Sequence, residues 1–188
     1  MKNSSKIVAV IPAHNEAERI GGVIREVKKY VDKVIVVDDG SSDSTSLIAK
    51  NKGVETITLK ENRGVGFATR VGCDRAVSIG ADYIITIDGD GQHEPSEIVW
   101  LLNELASNKL DIVFGSRERD YNMPLTKRLG NAFLSWLFFF LFRTKMEDTQ
   151  TGFHAFRRDA YSLVRWSSEA YPVATEPAVK AVVHQIKF

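Results

Sequence analysis

"KVIVVDDGSSDSTSLIAKNKGVETITL", residues 33–59, is the stretch that decides the fold. "KVIVV" is a continuous β-branched run of strand length, the pattern of a strand buried on both faces. It ends in Asp38, Asp39 and Gly40. "SDSTSLIAKNKG" then offers a polar cap at Asp43 or Ser44, a short helix and a terminating glycine. "VETITL" is a second β-branched run. Strand, helix and strand at this spacing imply a parallel pair joined by a crossover helix.

The same alternation extends in both directions. "KIVAVIP" precedes it as a buried strand, and a helix over about 19–30 carries Ile20, Val23, Ile24 and Val27 on one face. Downstream come a helix over about 64–78, the strand "YIITID", the helix "PSEIVWLLNELAS" with proline in its first turn, and the strand "DIVFGS". The expected fold class is α/β, a mainly parallel sheet flanked by helices. The 188 residues, 44% hydrophobic, suffice for a single domain spanning 1–188. Beyond Gly115 the pattern changes to a charged loop, a bulky apolar helix and a less regular tail.

Composition excludes several classes. A net charge of +1 points to no nucleic acid partner. One cysteine, Cys73, excludes an intramolecular disulfide and any cysteine-rich zinc site, and fits a reducing compartment. The N-terminus lacks the long apolar core of a secretory signal. The longest apolar run, "AFLSWLFFFLF", would span roughly 16 Å as a helix, about half a bilayer core.

In parallel α/β sheets, ligands bind beyond the carboxyl ends of the strands. Three such ends are polar here: "PAHNE", "DDGSSD" and "DGDGQHEP". If "YIITIDGDGQ" stays extended, Asp88 and Asp90 point to one side, with Gln92 continuing the row. Two carboxylates held close repel unless a cation lies between them or one is protonated. All-oxygen donors suit a hard ion, Mg²⁺ or Mn²⁺. Gly89 and Gly91 let the chain turn and a ligand approach. The bland alternative is a solvated turn. His93 is then a further ligand or a support for one.

Adjacent Asp38 and Asp39 should point to opposite sides, one toward the crevice and one capping nearby N–H groups. Glu16 either binds ligand or favours the next helix start. "ENRGVGFATRVG" lacks a phosphate-loop pattern and reads as a glycine-assisted helix start. Arg117, after the fifth strand, and Arg128 are candidate phosphate clamps. Glu147 and Asp148 offer a carboxylate for general base work. The helix over 126–143 is apolar nearly all round, so it belongs in a core, at a homodimer interface, or on a membrane surface. Its basic flanks, "TKR" and "FRTK", favour the membrane.

Together these pieces resemble the family 2 glycosyltransferases of GT-A fold, in the polyprenyl-phosphate, dolichol-phosphate mannose synthase-like branch. The likeness runs in order through "VIPAHNE", "VIVVDDGSSDST", "ADYIITIDGDGQHEP", "DIVFGSR", "KRLGN" and "DTQTGFHAFRRDA". It implies a Rossmann-like nucleotide-binding sheet and an inverting, metal-dependent hexosyltransferase. The donor would be a nucleotide-diphosphate sugar of GDP-mannose or UDP-glucose type, and the acceptor a polyprenyl (dolichyl) phosphate. By this resemblance the metal falls on Asp88, Asp90 and Gln92. Nucleotide-sugar contacts fall on Pro12, His14, Glu16, Val37, Asp39, Asp88 and Gly89. Arg117 and Arg128 would bind phosphate, and Asp90, Arg117 and Asp148 would flank the reaction. His14 stands where the family usually has tyrosine, and His154 where it often has arginine. The chain ends at "HQIKF", where relatives continue, so a C-terminally truncated catalytic domain is expected, peripheral on the cytoplasmic face of the membrane. The rivals are a soluble acceptor and a nucleotide-binding module without catalysis.

Overall fold

The computed structural model describes residues 5–115, 140, 152–167 and 175–188. Among these, the strands are β1 Ile7–Ala13, β2 Lys33–Asp38, β3 Glu55–Thr58, β4 Tyr83–Thr86, β5 Ile112–Phe114 and β6 His154–Arg157. The helices are α1 Ile20–Val27, α2 Thr45–Asn51, α3 Val65–Ser78, α4 Glu97–Ser107, α5 Arg158–Val164 and α6 Thr175–Val183.

The strands form one sheet in the order β3-β2-β1-β4-β6-β5. β1 pairs in parallel with β2 and β4, and β2 with β3, as the βα alternation requires. β6 runs antiparallel between β4 and β5, with His154 opposite both Thr86 and Phe114. That strand corrects the expectation of an irregular tail after a polar turn. Four residues, "HAFR", with polar ends, show no alternation long enough to read as a strand.

Both faces of the sheet are buried. Ala9, Ile11, Val34, Val36 and Ile85 pack on one side with Ile20, Ile24 and Val27 of α1 and Ile98, Leu101 and Leu105 of α4. Val8, Val10, Ile35, Val37 and Ile84 pack on the other with Ala68, Cys73 and Ala76 of α3, Tyr161 and Val164 of α5, and Trp166. Continuous apolar strands follow directly from this, because residues i and i+1 each find a core. α3 lies so close to β1 that a Cβ on Gly72 would overlap Val10 Cγ1.

The C-terminal segment is tied to α3 by polar bonds. Trp166 Nε1 donates to Gly66 O at 2.8 Å, and Arg70 Nη1 to Ser167 O at 2.7 Å. Arg165 donates twice to the Asp74 carboxylate, at 2.8 and 2.7 Å, and Tyr161 Oη donates to it at 2.8 Å. Among the described residues no helix is long and apolar enough to cross a membrane. Of the expected helix over 126–143, Phe140 alone is described; it is helical and 58% exposed.

Candidate active site

At the carboxyl end of the sheet, the loop after β1 is bonded to the loop after β2 along its length. His14 Nδ1 lies 2.7 Å from Asp39 O. Asn15 N–H donates to Ser41 Oγ at 2.9 Å, and Asn15 Oδ1 accepts Ser42 N–H at 2.9 Å. Glu16 N–H donates to Thr45 Oγ1 at 2.8 Å, and Ala17 N–H to Asp43 Oδ2 at 3.1 Å. Asn15 adopts φ +56°, a left-handed conformation that asparagine tolerates better than most residues. Sequence reading did not single out Asn15 or Thr45, since their partners lie on another loop.

Asp38 and Asp39 are 1% and 3% exposed. Asp38 Oδ1 accepts Ser41 N–H at 3.2 Å, closing a local turn. Asp39 reaches the loop after β3, its two oxygens accepting Arg63 and Gly64 N–H, each at 2.8 Å. Gly64 is the cap residue of α3, so the Asp39 charge sits at the positive end of that helix. At α2 Ser44 holds the cap position without a side-chain cap bond, and Asp43 supplies one from outside it: Asp43 Oδ1 accepts Thr45 N–H at 2.9 Å and the Thr45 hydroxyl at 2.5 Å. That hydroxyl, above all, holds the Asp43 carboxyl below its ordinary range.

The acidic turn after β4 differs from the extended strand expected for it. Ile87 N–H still reaches Val10 O at 3.1 Å, but pairing with β1 and β6 is already over at Thr86. Gly91 takes φ +74°, and Asp90 Oδ1 accepts Gln92 N–H at 3.0 Å. Strand alternation therefore does not align Asp88 with Asp90; a tight Asx turn orients Asp90. Gly89 is buried against the end of β1, where a Cβ would stand 3.0 Å from Pro12 O and 3.2 Å from Ala13 Cβ. This close approach brings the acidic turn beside Pro12, whose neighbour in the sheet is Val37.

Asp88 is partly buried, with a side chain 31% exposed, and His93 Nε2 lies 3.4 Å from its Oδ2. The His93 ring stacks obliquely on Phe153, their centres 5.2 Å apart. Gly152 approaches from the other side: a Cβ there would overlap Asp88 Oδ1 and stand 2.6 Å from Oδ2. Sequence reading included Gly152 within a quoted motif and gave it no role. Gln92 is exposed, and its bond to Asp90 comes from its backbone. The Glu16 carbonyl accepts Ile20 N–H at 2.9 Å, and its carboxylate pairs with Arg19 at 3.0 Å.

Pro12, His14, Glu16, Val37, Asp39, Asp88, Gly89, Asp90 and Gln92 thus all lie at the carboxyl ends of β1, β2 and β4. Arg117, Arg128 and Asp148 lie outside the described residues. Among the described residues no three His, Cys, Asp or Glu side chains form a closed metal cage. Two part-exposed carboxylates instead fit a hard ion completed by phosphate oxygens and water, as Mg²⁺ commonly is.

A profile for glycosyl transferase family 2 matches residues 8–165. The chain is 35% identical, over 84% of its length, to the UDP-N-acetylglucosamine–dolichyl-phosphate N-acetylglucosaminyltransferase of Methanococcus voltae, spanning 72% of that protein. It is 33% identical, over 85% of its length, to the human dolichyl-phosphate beta-glucosyltransferase, spanning 57% of that protein. The fold is shared with glucosyl-3-phosphoglycerate synthase from Mycobacterium tuberculosis, in a complex with Mn²⁺, UDP and glucosyl-3-phosphoglycerate. Its TM-score is 0.76 at 21% identity, over 97% of this chain and 67% of that one.

Proposed function

This chain belongs to glycosyl transferase family 2, and from that membership we propose that it is an inverting glycosyltransferase acting on a polyprenyl phosphate. The donor is a nucleotide-diphosphate sugar. The observation that carries this reading is the identity with two relatives named for transfer to dolichyl phosphate, within a family whose profile spans the acidic turn and the bonded loops. We read the 188 residues as one GT-A catalytic domain.

Asp88 and Asp90, with Gln92 beside them, are the residues that would hold Mg²⁺ or Mn²⁺. A cation held there would supply positive charge against the nucleotide diphosphate leaving group. Mn²⁺ bound together with UDP in the mycobacterial protein of the same fold is in keeping with that donor set. Pro12, His14, Glu16, Val37 and Asp39 line the nucleoside end, and buried Gly89 keeps the turn close to β1. Arg117 and Arg128 clamp the acceptor phosphate. That phosphate is already anionic, so its oxygen attacks the anomeric carbon without a base, from the face opposite the leaving diphosphate. One displacement inverts the centre. Asp148 then orients the acceptor and abstracts no proton.

The segment over 126–143 lays its apolar surface on the cytoplasmic face of a membrane, where a polyprenyl tail resides. The exposed Phe140 supports this, because a core helix would bury that ring. The second reading of the segment is a homodimer interface.

The test is a radiolabelled nucleotide-sugar assay offering a polyprenyl phosphate and soluble acceptors to the same protein. Label in the organic phase, dependent on the lipid phosphate, is expected. Label confined to a soluble acceptor would overturn the acceptor class and leave the family intact.

A further inference from the structure

Two segments far apart in sequence close on one carboxylate. His93 Nε2 stands 3.4 Å from Asp88 Oδ2, with its side chain 8% exposed. The ring has little room to swing away, because Phe153 lies against it. On the opposite side, backbone without a side chain faces the same group: any Cβ on Gly152 would overlap Asp88 Oδ1. The Gly152 carbonyl is held in turn by the Thr86 hydroxyl at 2.7 Å, 66 residues away in sequence. Phe153 O accepts Gly115 N–H at 2.8 Å, which docks the same segment on the end of β5. Asp88 is therefore bounded by an imidazole and by a carbonyl-anchored glycine, while Asp90 is oriented by its own turn.

Building on the metal reading above, we propose that Gly152 and His93 are positioning residues that set the orientation of the Asp88 carboxylate toward a divalent cation. The physical need is plain. Two neighbouring carboxylates repel each other in the absence of a cation, and an unbraced one rotates away. A ligand locked by its neighbours meets the ion without that reorganisation, and loss of such support costs about 10–100-fold in metal affinity. The antiparallel strand β6 thus does more than complete the sheet: the two residues that lead into it, Gly152 and Phe153, bound a carboxylate and its imidazole neighbour just beyond β4.

The test measures Mn²⁺ binding by electron paramagnetic resonance on the full chain, in the presence of UDP and, in parallel, GDP. Gly152→Ala and His93→Phe should each weaken Mn²⁺ binding by about 10–100-fold. His93→Gln, which retains a donor on a side chain of similar reach, should recover most of it. Nucleotide binding without metal should change less than about twofold. Mn²⁺ affinity unchanged in a folded Gly152→Ala protein, or equal in His93→Phe and wild type, would overturn the proposal. If Gly152→Ala does not fold, the His93→Phe and His93→Gln pair decides alone. Asp88→Asn and Asp90→Asn separate this from the premise: if both bind Mn²⁺ like wild type, the metal reading itself has failed.

Discussion

Asp39 accepts the backbone N–H of Gly64 at 2.8 Å across 25 residues of sequence, and so ties the end of β2 to the start of α3. With the second bond from Arg63, this carboxylate is the point where the loops after β2 and β3 are joined. The loop after β1 hangs from the same residue through His14 and the Asp39 carbonyl.

Asp39→Asn should therefore loosen the whole nucleoside end. An amide in this place turns one acceptor into a donor facing a backbone N–H and removes the charge from the helix terminus. A cost of about 2 kcal/mol is expected, in the range for hydrogen bonds to charged groups. Urea unfolding measures it, and calorimetry with UDP and GDP should show weakened binding. A variant as stable as the parent would mean that the loops hold without this carboxylate.

Acid should weaken the grip of α5 on α3. Burial acts to raise the Asp74 pKa, but hydrogen bonds from Arg165 and Tyr161 outweigh it and leave the group below its ordinary value. Burial, above all, pushes the Tyr161 hydroxyl far up, and the bond to Asp74 does the same for Arg165, so neither titrates between neutral and acid pH. A depressed carboxyl stabilises the fold above its unfolded pKa, and that contribution fades as pH falls through the folded value. Asp74→Asn should lower the urea midpoint at pH 7, and the gap from wild type should narrow below about pH 4, near the ordinary Asp value. A gap independent of pH would show that the Asp74 charge is not involved.

Asp90→Ala should remove most turnover in the sugar-transfer assay. Loss of a group that stabilises leaving-group charge commonly costs about 10²–10³ in rate. Stripping divalent ions with a chelator should do the same to wild type, and added Mn²⁺ or Mg²⁺ should restore it. Near-normal turnover in a metal-free Asp90→Ala preparation would remove this carboxylate from the reaction.

Replacing Phe138 and Phe139 together with serine should reduce sedimentation with vesicles rich in anionic lipid. Unchanged vesicle binding, together with a smaller particle on size-exclusion chromatography, would instead assign this segment to an interface between copies of the chain.

Local pattern alone determined much of this molecule. β-branched runs with core on both sides marked β1, β2, β3 and β4, and amphipathic spacing marked α1 and α4, because these signals lie within one strand or one helix. The carboxylates of the site were visible too, since polar residues at the ends of parallel strands have few other reasons to collect there. Tertiary structure decided what holds those carboxylates in place. Asp39 stands in sequence at a strand end, and only the packed loops let its oxygens accept Arg63 and Gly64 N–H. Asp88 and Asp90 look aligned by strand alternation, yet a turn orients one, and Gly152 and His93 bound the other. Strand β6 enters the middle of the sheet from the far end of the chain. The reason is common to all three. Periodicity records which face of an element is buried, but a hydrogen bond across 66 residues, such as that from Thr86 to Gly152, forms only when two separate elements are packed side by side.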